Sequence, residues 1–304
     1  MTTFFPHLYE YCRVISLLEE NNFRKSGDEI QKRGRKRFPN VSYGCPQETK
    51  ITKCFLTFNQ DNESKDIGFL KYLEIKAENL RESTYNPLKF YNVTIETILK
   101  TRTELSNINK YEKPLNWPLS YEQLMQTKSL EIKHWIVIDA ILCIEIAKTL
   151  PFFCKLSVQD QQTLLRTTTL LNTCLTEAYY SYVASSDVLI FPDGFAPTMS
   201  PAFLTSHNDF FIGVVEPLKR IKMTKEEYIL LKTIIFCSSK SDEISVEGKE
   251  ILEKEFHRYS RLLLNYIQAK YGNAPGAVRY SQILSVMEAM IYFSQKRKRI
   301  LCLF

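Results

Sequence analysis

An all-α fold follows from three features of the sequence. Two long apolar helical stretches flank Pro151, three further stretches between Thr224 and Leu301 carry apolar residues at spacings of three and four, and β-prone runs are almost absent. Residues 1 to about 64 read as a loosely ordered lead-in with weak periodicity, polar runs such as Asn59 to Ser64, and a basic cluster at Lys32, Arg33, Arg35, Lys36 and Arg37. Only Tyr9 to Glu20 looks helical there. From Ile67 the pattern changes: Phe69, Leu70, Leu73, Ile75, Ala77 and Leu80 predict an amphipathic helix that stops before Asn86-Pro87. A short helix near Ile95 to Lys100 and a loop holding Pro114, Trp117 and Pro118 follow.

The next helix is predicted from about Glu131 to Leu150, where Pro151 removes a backbone donor and biases Leu150 away from helical angles. Its apolar residues point nearly all round the axis, which is the mark of a buried helix. His134, Asp139, Glu145 and Lys148 interrupt the run too often for a membrane span. The partner helix starts at Ser157, whose hydroxyl can cap the first turn while Asp160, three residues on, reaches back and complements the dipole. Asp187 to Phe191 is a β-prone run, and Pro192-Asp193-Gly194 supplies turn chemistry before Phe195, so a small β-hairpin is predicted.

Thr224 with Glu227 three residues later, and Met223 placed to staple against Tyr228, open the next helix. Another follows Ser245 and ends at Gly272. A last long helix is predicted from about Ala277 to Leu301, closing on a second basic run, Lys296 to Arg299; each basic run reads either as solvated charge, here near a helix C-terminus, or as a contact for nucleic acid or a nuclear import receptor.

Composition bounds the function. The 304 residues, 44% hydrophobic, can bury one large core plus an appendage. With nine glycines and no GxGxxG, GxxxxGK[ST] or GxSxG, glycine-cradled nucleotide sites and nucleophile elbows are not expected. The eight cysteines contain no CxxC pair, and the four histidines show no ligand spacing, so neither a metal nor another cofactor is expected. Met1 to Leu18 does not read as a signal peptide, and the thiols should be reduced. No acid-base or nucleophilic constellation stands out, so the chain does not read as an enzyme.

The joint Glu145-Ile146-Ala147-Lys148-Thr149-Leu150-Pro151-Phe152-Phe153, followed by Leu156-Ser157, Asp160-Gln161 and Leu164-Leu165, resembles the signature of nuclear hormone receptor ligand-binding domains. The likeness extends over roughly residues 65–304 and narrows to the large nematode branch through stretches at 69–88, 186–194, 223–237 and 258–290. It implies a three-layer antiparallel helical sandwich around an apolar pocket, acting in the nucleus as a transcription regulator, with residues 1–64 outside the domain.

On the residues alone, Lys148 solvates a helix end and Asp160-Gln161 cap and stitch the core. The resemblance gives Lys148 the place of a coregulator-clamping lysine, outlining with Ile144, Phe153, Val158, Gln162, Leu165 and Arg166 a groove for a leucine-rich partner helix. Ile138, Ile141, Leu142, Leu171, Cys174, Leu175 and Ala178 are the pocket-facing candidates for a small lipophilic ligand, or ordinary packed core. Glu145 is the odd member, costly if inward and unpaired, or outward beside Lys148. Tyr280, Leu284, Met287 and Ile291 would form a dimerisation stripe for a second copy or another receptor.

Three departures from the family pattern accompany these expectations. The chain offers no cysteine pairs for the family's two zinc fingers, only a basic tail from Phe23 to Arg37, so direct DNA binding is not expected of it. It has no acidic amphipathic switch helix after Arg299. Tyr180 stands where many receptors carry a ligand-anchoring arginine. An interaction protein that pairs with intact receptors is the alternative reading, as is a sequence representing part of a full receptor.

Overall fold

The computed structural model describes residues 62–91, 93–126, 133–199 and 208–301. The predicted Tyr9–Glu20 helix and the first basic cluster lie outside these residues. Among the described residues ten α-helices are joined by 3-10 turns and loops: α1 (Asn62–Arg81), α2 (Ile95–Leu99), α3 (Tyr121–Gln126), α4 (Trp135–Ala147), α5 (Val158–Val183), α6 (Asn208–Gly213), α7 (Glu216–Ile221), α8 (Lys225–Cys237), α9 (Val246–Tyr271) and α10 (Asn273–Leu301).

They stack as a helical sandwich. α1 and α4 pair on one side, α10 packs with α9 and α7 on the other, and α5 and α8 lie between, each touching helices of both sides. All residues of α4 from Trp135 to Ala147 are buried, as its all-round apolar character requires. After Ala147 the chain tightens into i→i+3 bonds, Thr149 N–H to Ile146 O and Leu150 N–H to Ala147 O, before Pro151 stops it. The helix begins at Trp135; Glu131 and Ile132 lie outside the described residues.

The caps fall where the sequence places them. Ser157 and Ser245 each accept the N–H three residues on. Thr224 and Glu227 form a reciprocal capping box. Glu227 does more than cap, because both its oxygens also receive the Arg279 guanidinium at 2.8 and 2.7 Å, tying the start of α8 to α10. Burial would raise the Glu227 pKa, but the bonds from Arg279 and Thr224 outweigh it and hold it low. Thr224→Ala is expected to cost about 1 kcal/mol in urea unfolding; Thr224→Ser should restore most of it.

Gly272, at φ +87°, ends α9 in a conformation that side chains rarely adopt. A Cβ on Gly276 would sit 2.9 Å from the Gln268 backbone, so the α9–α10 hairpin closes only because this residue has no side chain. α10 starts at Asn273, four residues earlier than predicted, with Pro275 inside its first turn where its missing N–H costs nothing.

The predicted hairpin at Asp187–Phe195 is corrected to an irregular turn, and the described residues contain no strand. The turn itself is real: Phe191 N–H reaches Phe195 O at 2.8 Å, and Phe195 N–H binds Asp193 Oδ1 at 2.9 Å. A ladder fails because the donors of the would-be strand are spent elsewhere. Leu189 N–H goes to Phe211 O and Ile190 N–H to the Ser181 hydroxyl, while Pro192 has no donor.

Candidate functional site

The signature residues form the joint that aligns three helices. Gln161 sits half-buried and donates its side-chain amide to Phe153 O and Leu156 O at 3.0 and 3.1 Å, clamping the Pro151–Leu156 turn onto α5. Asp160 is 2% exposed. It accepts from the Ser157 hydroxyl, and also from the backbone N–H and hydroxyl of Ser245, each at 2.7 Å. One carboxylate thus serves the N-caps of α5 and α9. Burial pulls its pKa up, but the Ser245 and Ser157 bonds prevail and hold it below the usual aspartate value.

The candidate groove residues lie on α4, on α5 and in the turn between them. Ile144, Phe153 and Leu165 are buried in the main hydrophobic cluster, and Val158 is 39% exposed. Gln162 and Arg166 are half-buried and bonded to one another at 3.1 Å. Lys148 is not a free helix-end cation. Its ammonium lies 3.0 Å from Glu145 Oε1, 3.1 Å from Ile98 O and 3.2 Å from Thr101 Oγ1, with the side chain only 8% exposed.

Glu145, the uncertain residue of the sequence reading, is both fully buried and beside Lys148. Its second oxygen takes the Glu104 N–H at 2.8 Å. Desolvation keeps its pKa raised against the pull of Lys148.

Among the ligand-pocket candidates, Ile138, Ile141, Leu142, Cys174, Leu175 and Ala178 are buried and Leu171 is half-buried. Polar groups that sequence reasoning left out lie in the same region. Arg81 of α1 grips Asp139 of α4 at 2.7 and 3.2 Å, and Arg297 of α10 grips Glu177 of α5 at 2.7 and 3.1 Å. All four side chains are almost wholly buried. Arg297 thereby departs from the solvated basic run expected at Lys296 to Arg299. Burial raises the Glu177 pKa in spite of Arg297. Desolvation likewise pushes the Cys143 thiol up to about 12 and Cys174 to about 11, so both are inert as nucleophiles.

Tyr180, in the place expected of an anchoring arginine, donates to Glu74 Oε1 at 2.8 Å and carries the Arg81 guanidinium 5.0 Å above its ring. The Asn172 side-chain amide and the Thr173 hydroxyl are buried without a hydrogen-bond partner among the described residues. Asp193 is a turn former, as read from the sequence, and also accepts from the Trp135 indole at 2.8 Å. The dimerisation candidates line one face of α10: Tyr280 and Met287 are half-buried, Leu284 and Ile291 each 37% exposed. No group of residues with the makings of a metal site occurs among the described residues.

Comparison with known proteins decides the family. A family model of the ligand-binding domain of nuclear hormone receptor matches residues 120–304. The chain belongs to the nuclear hormone receptor family. Nuclear hormone receptor family member nhr-60 of Caenorhabditis elegans is 30% identical over 235 residues, 72% of this chain and 52% of that protein. Family member nhr-153 of the same organism is 24% identical over 276 residues, 87% of this chain and 63% of that receptor. The chain spans about half the length of the curated relatives it matches.

In fold, the receptor domain is similar to the Ultraspiracle ligand binding domain from Drosophila melanogaster, with a TM-score of 0.50 and 21% identity over 56% of this chain and 71% of that one. Nuclear hormone receptors are ligand-regulated transcription factors and not enzymes. No helix among the described residues is long and apolar enough to cross a membrane.

Proposed function

We propose that this receptor chain regulates transcription in the nucleus through protein contacts of its ligand-binding domain, dimerising along α10 and taking a coregulator helix in the Lys148 groove. The domain of this reading runs from residue 65 to 304. α1 belongs to it because Arg81 and Glu74 lock into α4 and α8 through buried ion pairs.

The observation that carries the reading is the apolar stripe of α10. Leu284 and Ile291, two turns apart on one face, are left partly open with Tyr280 and Met287 between and before them, and partly exposed apolar rows of this kind mark interaction surfaces. In a two-fold interface every residue appears twice, and like charges brought together cost several kcal/mol. Leu284→Glu with Ile291→Glu is therefore expected to weaken association by about a hundredfold or more. Sedimentation velocity of the chain, alone and mixed with a related receptor domain, measures it; unchanged association of the double variant in both mixtures would remove α10 as the interface. Pairing with another receptor rather than a second copy is the alternative that the mixture reads out.

A small lipophilic ligand held between α4 and α5 is a second reading, favoured by Asn172. Its buried, unpartnered amide would be satisfied by a polar group of the ligand. Native mass spectrometry of the purified chain tests it, with Asn172→Leu expected to lose the bound mass.

A further inference from the structure

Lys148 already holds the end of a helix, and that helix is the chain's own. α2 is a single turn preceded by Thr94, whose hydroxyl caps it by accepting the Thr97 N–H. Ile95, Ile98 and Leu99 are 4%, 3% and 7% exposed, whereas Glu96, Thr97 and Lys100 face solvent. Its apolar residues thus stand at i, i+3 and i+4, the spacing with which a partner helix engages an apolar groove. They are part of the main hydrophobic core of the domain, and α2 packs against α5, the helix that carries Leu165.

At its C-terminal end the Ile98 carbonyl receives the Lys148 ammonium at 3.1 Å and the Thr101 hydroxyl at 2.7 Å. That is the position where a cation complements a helix dipole. The Glu145 carboxylate holds the ammonium on one oxygen and the Glu104 N–H on the other, so the segment following α2 is fastened to α4 as well. The far side of the groove is different: Val158 remains exposed, and Arg166 and Gln162 are bonded to one another.

We propose that α2 is an internal stand-in for the partner helix: it occupies the Lys148 end of the groove, and a partner helix with apolar residues at i, i+3 and i+4 binds by displacing it. This rests on the reading of the groove given above and adds its regulation. The chain's affinity for any such partner is then lowered by the fraction of molecules in which α2 is seated. Whatever loosens the 94–104 segment raises that affinity without touching the groove.

The test uses the full chain and a fluorescein-labelled peptide with the sequence of residues 91–105 as the partner helix. Glu96→Gly with Thr97→Gly alters only exposed positions of α2, lowering its helix propensity while leaving its buried residues in place. Fluorescence anisotropy is expected to show the peptide binding this variant about tenfold more tightly than the wild type. Adding Val158→Glu, at the exposed rim, should reverse the gain. In the wild type, hydrogen exchange at residues 95–101 should rise when the peptide binds, reporting displacement.

If wild type and loosened variant bind the peptide equally, Val158→Glu weakens both and exchange at 95–101 does not change, the groove stands and the displacement model is overturned. If neither protein binds the peptide, or Val158→Glu has no effect, the groove reading itself fails and the proposal falls with it.

Discussion

Arg297→Met is expected to lower the unfolding free energy by about 3–5 kcal/mol, because it strands the Glu177 carboxylate in the interior. Arg297 is 2% exposed and its guanidinium makes two bonds to Glu177 and a longer one, 3.6 Å, to the Cys174 sulfur. The pair fastens the last turns of α10 to the C-terminal part of α5, so the loss should be felt by the whole domain. Removing both partners is a different matter: Arg297→Met with Glu177→Leu replaces a desolvated ion pair by apolar contact and should recover most of the stability. Urea unfolding midpoints at constant m-value decide it. A single variant within about 0.5 kcal/mol of wild type, the usual range for surface changes, would show that the pair carries little.

The second large effect is expected at Glu74, the hub of a buried network between α1, α5 and α8. It accepts from Tyr180 at 2.8 Å, Tyr228 at 2.9 Å and Lys232 at 3.0 Å, and Tyr228 in turn contacts Thr176 at 3.2 Å. Burial alone would raise the Glu74 pKa; Lys232 and the two phenols outweigh it, so the folded-state value is lowered. A carboxylate with a lowered folded pKa contributes stability that is fully present above the ordinary glutamate value of about 4.3 and is lost as pH falls below it toward the folded value.

Asp160 and Glu227 act in the same direction. Glu74→Gln should therefore cost about 3–5 kcal/mol at neutral pH, where it leaves the Lys232 ammonium buried without a counter-charge. It should also flatten the decline of stability below about pH 4.3 relative to wild type. Unfolding midpoints measured from neutral to acid pH read both effects; parallel curves for the two proteins would exclude Glu74 as a source of the acid sensitivity.

What was legible in the sequence was local. Ser157, Thr224 and Ser245 cap helices by bonding the residue three positions on, and Gly272 ends one by its own backbone freedom, so each could be read without knowing the fold. The joint around Lys148 was legible because its residues recur as one contiguous pattern. The partner of Lys148 was not, since Ile98 lies 50 positions upstream and no local rule links the two.

Arg297 failed for a related reason. Four successive basic residues look like solvated charge until α10 is known to turn one of them toward Glu177, 120 residues earlier. At Pro192-Asp193-Gly194 the turn chemistry was right and the strands were wrong, because the competing acceptors, the Ser181 hydroxyl and the Phe211 carbonyl, belong to elements that only the tertiary structure brings near.

The carboxylate shared by the N-caps of α5 and α9 has a mechanical meaning. Both long helices start from one pinned point, so Asp160 is a fulcrum and α9 a lever of about 39 Å, at about 1.5 Å of rise for each of its 26 residues. A tilt of about 4° there moves the Gly272 end by roughly 3 Å. Two ion pairs oppose such a swing, Arg279–Glu227 and Arg297–Glu177, which moor α10 to α8 and α5, so the fulcrum works against a braced lever.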